Sequence, residues 1–208
     1  MKSFMSLNRF EAFSDGVFAI AMTLLVIEIK VPDLSQATAS TAINTLIHTV
    51  PHILSYITSF LVIGVLWLNH NALFHLLKRV DRTVLTINLV LLMCIAFIPF
   101  PTALIGQYGS LQPIVMFYGL TLSLTGIVYN VLLFYAVRQY LWGHPQVARR
   151  FIYQAALWSI SYPIFYLVAS LLSFNTTTLS TILYILIPLF YLFPSVIDQQ
   201  LGTLSNEF

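Results

Sequence analysis

Arg9, Ser14 and Asp15 stand at the entrance to Gly16–Ile29, an apolar run interrupted only by Thr23 and Glu28. Ionisable groups at membrane depth are costly, and where they occur they bind, relay protons or pair with one another. A carboxyl group there needs hydrogen-bond donors, and indole, imidazole and amide groups supply them. Trp67, Asn69 and His70 in a second apolar run, and Asn88 in a third, are the donors within reach. At ~100° per residue, Arg9, Phe13, Gly16, Ile20, Thr23, Leu24 and Ile27 share one helical stripe. Asp15 projects roughly opposite that stripe and Ser14 to its flank, so Asp15 is expected to face the protein interior.

Other reactive side chains lack the company that catalysis requires. His48 and His52 are four apart, a spacing compatible with a metal on a helix, but no acid neighbours them in sequence. Asn69-His70-Asn71 with His75 has no H-E-x-x-H pattern, phosphate loop or cysteine pair beside it, so no enzyme and no cofactor are expected. The single cysteine, Cys94, lies in an apolar run and reads as a small buried hydrophobe. Net charge is +2 with the basic residues scattered, which argues against a nucleic-acid partner.

The elements that must position these residues are membrane helices. The chain is 59% hydrophobic and 8% charged, with mean hydropathy +0.88. No Asp, Glu, Lys or Arg occurs between Leu34 and Leu77, or between Thr83 and Val137. Each gap exceeds one ~20-residue crossing. An all-α integral membrane protein of six transmembrane helices follows, as one domain over 1–208, with spans at about 7–31, 51–77, 83–105, 112–141, 148–174 and 178–197. Val31-Pro32-Asp33 stops the first span. Ser35–Thr49 is read as a short interfacial helix and Pro51 as the first turn of the second span, where a missing N–H costs nothing. Pro99 and Pro101 fall near the end of the third span, and Pro163, Pro188 and Pro194 lie within the last two. Such prolines are tolerated where neighbours satisfy the freed carbonyls.

Of the nine Lys and Arg residues, Lys2, Arg9, Lys78, Arg79, Arg82, Arg138, Arg149 and Arg150 fall on one side, and only Lys30 falls opposite. The positive-inside rule makes that side, and both termini, cytoplasmic. Trp142, Tyr140 and Tyr153 fall at interfaces, as amphipathic rings do. Ala37-Thr38-Ala39 mimics a leader cleavage site, but Glu11 and Asp15 adjoin the apolar run, so a retained first helix is the simpler reading.

Arg9-x-x-x-Phe13-Ser14-Asp15 heading the first of six spans resembles the transmembrane-protein-175 family of potassium channels. Trp67-x-x-His70 and Asn88 match the polar partners of that motif. The resemblance implies a homotetramer in a prokaryotic plasma (inner) membrane, surrounded by lipid, whose pore is lined by the first helix of each subunit. It places the pore constriction at Ile20, Leu24 and Ile27 and the selectivity layer at Thr23, so potassium and other permeant monovalent cations would pass near Ile20 and Thr23. It makes Arg9, Phe13, Ser14 and Asp15 a gating scaffold. No T-V-G-Y-G filter or re-entrant pore loop is present, which fits the family. Glu28 and Asp33 at the outer end would raise the local cation concentration. A second reading is a proton-coupled secondary transporter or proton channel using Asp15 and His70, with Glu28 as a further acid. No inverted repeat supports it. A third, a membrane enzyme or accessory subunit, has no motif behind it.

Overall fold

The structure, a computed structural model, describes residues 7–31, 38–77, 80–141 and 149–192. Among them every regular element is helical: α1 (Leu7–Ile27), α2 (Ala39–His75), α3 (Arg82–Phe97), α4 (Pro99–Tyr108), α5 (Gln112–Ala136), α6 (Arg149–Leu172) and α7 (Thr177–Leu192). A π-helical turn, Val137–Leu141, continues α5. Four stretches are long and apolar enough to cross a membrane: Leu7–Ile27, Thr41–His75, Arg82–Tyr108 and Gln112–Gln139. Leu157–Leu172 and Thr177–Leu192 are shorter apolar helices. The Pro32-Asp33 stop, Lys2, Lys78, Arg79, Trp142 and Pro194 lie outside the described residues, as do the side chains of Tyr140, Tyr153, Arg149 and Arg150.

The second span differs from the sequence expectation. The interfacial helix and the span form a single helix of 37 residues, with Pro51 inside it rather than at its start. Nothing before Pro51 breaks a helix. Thr38 caps it, and the Thr45 and Thr49 hydroxyls donate to Thr41 O (2.9 Å) and Thr45 O (3.1 Å) along its face. A proline alone removes one N–H and crowds one carbonyl, which bends a helix without ending it. At ~1.5 Å per residue α2 is ~55 Å long, well beyond a ~30 Å hydrocarbon core.

The third span, expected as one run over about 83–105, is divided at its prolines. Ile98 ends α3, and Pro99 opens α4 at a position whose N–H has no helical use. In α6, Pro163 cannot donate to Ser159 O, and Asn130 on α5 supplies the missing hydrogen bond at 3.0 Å. The freed carbonyl is thus satisfied by a neighbouring helix, as an apolar surrounding requires.

Three tyrosines of α5 tie it to the first half of the chain. Tyr118 Oη bonds Ser59 Oγ at 2.8 Å, Tyr129 Oη donates to Asn69 O at 3.1 Å, and Tyr135 Oη donates to Asp81 Oδ2 at 2.8 Å. Asp81 Oδ1 also caps α3 by accepting from Val84 N at 2.9 Å. Against α6 and α7, α5 presents glycines. A Cβ at Gly119 would overlap the Tyr184 hydroxyl, and one at Gly126 would come within 2.6 Å of Tyr162 Cδ1. Small residues let helices approach closely where no hydrophobic force drives them together. Gly126→Ala is therefore expected to destabilise the protein by about 1–3 kcal/mol through overpacking. At Gly16 an added Cβ would meet nothing within 4 Å, so alanine there should cost the folded subunit little. Thermal unfolding of the two variants in detergent, followed by size-exclusion chromatography, measures the difference.

Candidate functional site: the first helix and its polar support

One face of α1 is packed and the other is open. Phe10, Ser14, Phe18, Ala21 and Leu25 are buried against the bundle. Arg9, Phe13, Gly16, Ile20, Thr23, Leu24 and Ile27 are all exposed, Ile20 at 61% and Ile27 at 69%. The stripe expected from the sequence is therefore the open face. The Thr23 hydroxyl donates to Ile20 O at 2.9 Å, which leaves its lone pairs on the exposed side.

The packed face is organised by a buried hydrogen-bond chain across three helices. His70 Nε2 lies 2.8 Å from Asn88 Oδ1, Asn88 Nδ2 donates to Ser14 Oγ at 3.0 Å, and Ser14 Oγ donates to Phe10 O at 3.1 Å. An amide oxygen only accepts, so His70 carries its proton on Nε2. Each member therefore passes its donor to the next, and all three are almost fully buried. Aromatic rings enclose the imidazole: Phe18 lies 5.3 Å away, Phe74 4.5 Å, and Phe10 packs on Phe74 at 4.9 Å.

The arrangement corrects the expected orientation of the motif. Ser14, not Asp15, faces the interior. Asp15 is exposed at the edge of the open face, and Trp67 Nε1 donates to its Oδ1 at 2.9 Å. Asp15 is not in fact opposite the stripe: at ~100° per residue it and Ser14 lie about equally far from it on opposite flanks, so periodicity alone does not choose between them. Packing chooses the hydroxyl, because burying a carboxyl group costs far more. Of the four anticipated partners, Trp67 meets Asp15 and Asn88 meets Ser14. His70 meets Asn88, and Asn69 turns back to Val65 O on its own helix at 2.8 Å.

Two further groups correct or extend the sequence reading. His52 does have an acid nearby: it lines a small cavity of ≈ 10 Å³ with Glu28, Ser55 and Thr102. His48 is exposed. Ser59 Oγ bonds both Thr102 Oγ1 (2.7 Å) and Tyr118 Oη (2.8 Å), a cluster the sequence reading missed. Its only signal was Ser55 and Ser59 one turn apart in an uncharged span. Cys94 is half-buried on α3. Among the described residues, no group of three or more His, Cys, Asp and Glu side chains converges to hold a metal ion.

Fold and site together define a multi-span helical membrane protein whose first helix is anchored by polar contacts on one side and left open on the other. Residues 9–99 match the family described as "Endosomal/lysosomal potassium channel TMEM175". A potassium channel of Chamaesiphon minutus is 38% identical over 153 residues, covering 72% of this chain and 70% of that one. A potassium channel of Streptomyces collinus is 44% identical over 101 residues, about half of each chain at 49% and 48%. The crystal structure of a lysosomal potassium-selective channel TMEM175 homolog from Chamaesiphon minutus superposes with a TM-score of 0.80 at 34% identity, over 89% of this chain and 96% of that one. The chain belongs to the TMEM175 family, which is a family of ion channels and not of enzymes.

Removing Asn88 strips Ser14 and His70 of a partner at once. Asn88→Leu is expected to lower stability by about 2–6 kcal/mol, from two buried polar groups that each lose a partner at about 1–3 kcal/mol. A double-mutant cycle pairing Asn88→Leu with Ser14→Ala, read by thermal unfolding, should show the two losses to be less than additive.

Proposed function

We propose that this chain is one subunit of a homotetrameric, potassium-permeable channel whose pore is lined by α1 from each of four copies. The observation that carries this reading is the division of α1. Its stripe from Phe13 to Ile27 is left uncovered along ~21 Å of helix while the opposite face is locked by hydrogen bonds. Membership of a family whose relatives are named potassium channels supports potassium as the permeant ion.

In this reading Ile20, Leu24 and Ile27 form the hydrophobic constriction, which closes by excluding water. Four Thr23 hydroxyl oxygens, with their hydrogens engaged by Ile20 O, present lone pairs to a partly dehydrated cation. Arg9, Phe13, Ser14 and Asp15 act as scaffold, with Trp67, His70 and Asn88 as its support. Glu28 and Asp33 at the outer end attract cations. The chain forms one domain with six crossings, α3 and α4 together making the third, no re-entrant loop and both termini in the cytoplasm. Arg9, Arg82 and Arg138 then share the cytoplasmic end of a multi-pass protein of a prokaryotic plasma membrane. Contacts between helix ends support the antiparallel order: Phe10 on Phe74 at one end, and Glu28 beside His52 at the other. A transporter built on Asp15 and His70 has less support, since Asp15 is held by Trp67 and His70 by Asn88.

Potassium flux from proteoliposomes, with an ionophore to dissipate the potential, tests the reading. Thr23→Ala is expected to reduce discrimination between potassium and sodium about fivefold, the effect of losing about 1 kcal/mol of differential coordination. Ile20→Asn should raise leak by hydrating the constriction. Unchanged reversal potential and conductance in both variants would remove α1 from the pore.

A further inference from the structure

The outer ends of the helices lie at about one level, and among the described residues α2 alone passes it. Glu28, just beyond α1, lines the same small cavity as His52. An added Cβ at Gly106, near the end of α4, would come within 3.2 Å of His52 Cα. Ser59 bonds Tyr118, whose ring lies 5.2 Å from that of Tyr184. Counted back from these residues, α5 opens at Gln112 and α7 at Thr177, about two turns away, as His52 is from Ser59. From that level Ala39–Pro51 carries α2 on, unbroken by its proline, for ~20 Å.

The projecting part has an apolar side that nothing described in the subunit covers. Ile43, Ile47, Val50, Leu54 and Ile57 are exposed, Ile43 at 59% and Ile47 at 60%. They follow one another in alternating steps of four and three, the spacing of a coiled-coil seam. Leu46 and Ile53 widen the stripe, and Thr41, Asn44, Thr45, His48 and Thr49 hold the other side. An apolar stripe beyond the membrane marks an interaction surface. Lipid headgroups are a poor partner for it. A helix lying among them ordinarily carries Lys or Arg on its polar face, and none occurs here. The single course of α2 from Ala39 to His75 also stands this part away from the bilayer surface.

The stripe adjoins the open face of α1. Trp67 donates to Asp15 at the edge of that face. At ~100° per residue, Leu46, Ile53, Ile57 and Phe60 lie next to Trp67 on the outward side of α2. The two exposed surfaces therefore meet along the Trp67–Asp15 bond, on one side of the subunit.

We propose that this stripe is a packing surface between copies of the chain. Above the ends of α1, Ile43, Ile47 and Val50 of each subunit meet their counterparts in a collar of α2 helices over the outer mouth. The collar belongs to the assembly proposed above and requires it, whichever ion passes through. Subunits of one assembly in one bilayer run parallel at the same depth, so equivalent residues of the seam face one another, as in a parallel coiled coil. The absence of charged residues between Leu34 and Leu77 lets the helices approach without repulsion.

Cysteine cross-linking of the assembled protein tests this. In a Cys94→Ala background, Ile43→Cys, Ile47→Cys and Val50→Cys are introduced singly, with Asn44→Cys and His48→Cys on the polar side for comparison. After oxidation in proteoliposomes, the stripe cysteines are expected to give a disulfide dimer at twice the 23.5 kDa of the subunit, and the polar-side cysteines to stay monomeric. A disulfide forms only where Cα atoms come within about 7 Å, so the band reports contact. Light scattering in detergent reports the oligomer independently, and Ile43→Asp/Ile47→Asp is expected to shift it toward smaller species. An intact oligomer whose stripe cysteines stay monomeric, or cross-link no better than the polar-side ones, would overturn the collar and leave the assembly standing. Stripe cysteines that take up a lipid-soluble maleimide instead of cross-linking would give the surface to lipid and overturn it too. A wild type that is monomeric in both detergent and vesicles would overturn collar and tetramer together.

Discussion

The rotation of α1 about its own axis is the constraint on which the remaining architecture turns, and one hydrogen-bond chain sets it. His70 on α2 and Asn88 on α3 reach Ser14 from two directions, and Ser14 closes the chain on its own helix at Phe10 O. In an apolar interior such a chain must be complete, because a member without a partner bears the full desolvation penalty. Turning α1 by one residue would put Asp15 or Phe13 where Ser14 sits. The first would bury a carboxyl group among Phe10, Phe18 and Phe74. The second would leave the Asn88 amide N–H without its acceptor. Neither alternative is close in energy, so the open face of α1 is specified by the chemistry of the closed one.

The two halves of the chain are held together differently. α1 to α4 share the polar chain and the aromatic cage around His70. α5 to α7 share a tyrosine interior with glycines at the closest approaches. Between them run the three tyrosine bonds of α5, to Ser59, Asn69 O and Asp81, at three depths of the same helix. Hydrogen bonds are the efficient fastener here, since lipid tails compete with apolar contacts but offer no donors or acceptors. An arrangement of this kind fixes tilt and register of α5 against α2 through neutral hydrogen bonds.

Helix positions were legible in the sequence because membrane spans are written in composition: long stretches without charge, and prolines at their edges. Contacts between spans were less so. Trp67, His70 and Asn88 were recognisable as partners because polar side chains are scarce in such segments. Which of Ser14 and Asp15 each would meet was not, since the two flank the stripe symmetrically. Pro51 misled because a proline marks a helix start only when something else has ended the chain before it, and the threonine-rich turns at 38–49 instead continue into it. The small cavity that Glu28 and His52 both line brings the end of one helix to another helix, which no local pattern encodes.

What distinguishes a pore face from a lipid face on α1 is not its hydrophobicity. Ile20, Leu24 and Ile27 would sit as well in acyl chains as around a dewetting constriction, and Thr23 is already satisfied by Ile20 O. Asp15 is the discriminating group. Trp67 engages only one of its oxygens, and the residue is exposed beside the stripe rather than buried. Lipid offers the second oxygen nothing, whereas water, a cation or a neighbouring subunit would satisfy it. Arg9, exposed one and a half turns below on the same open face, makes the same demand. A helix that carries two such groups at one end of an otherwise apolar stripe suits the proposed water-filled axis better than a lipid face, and in that proposal the isoleucines decide when the water is continuous.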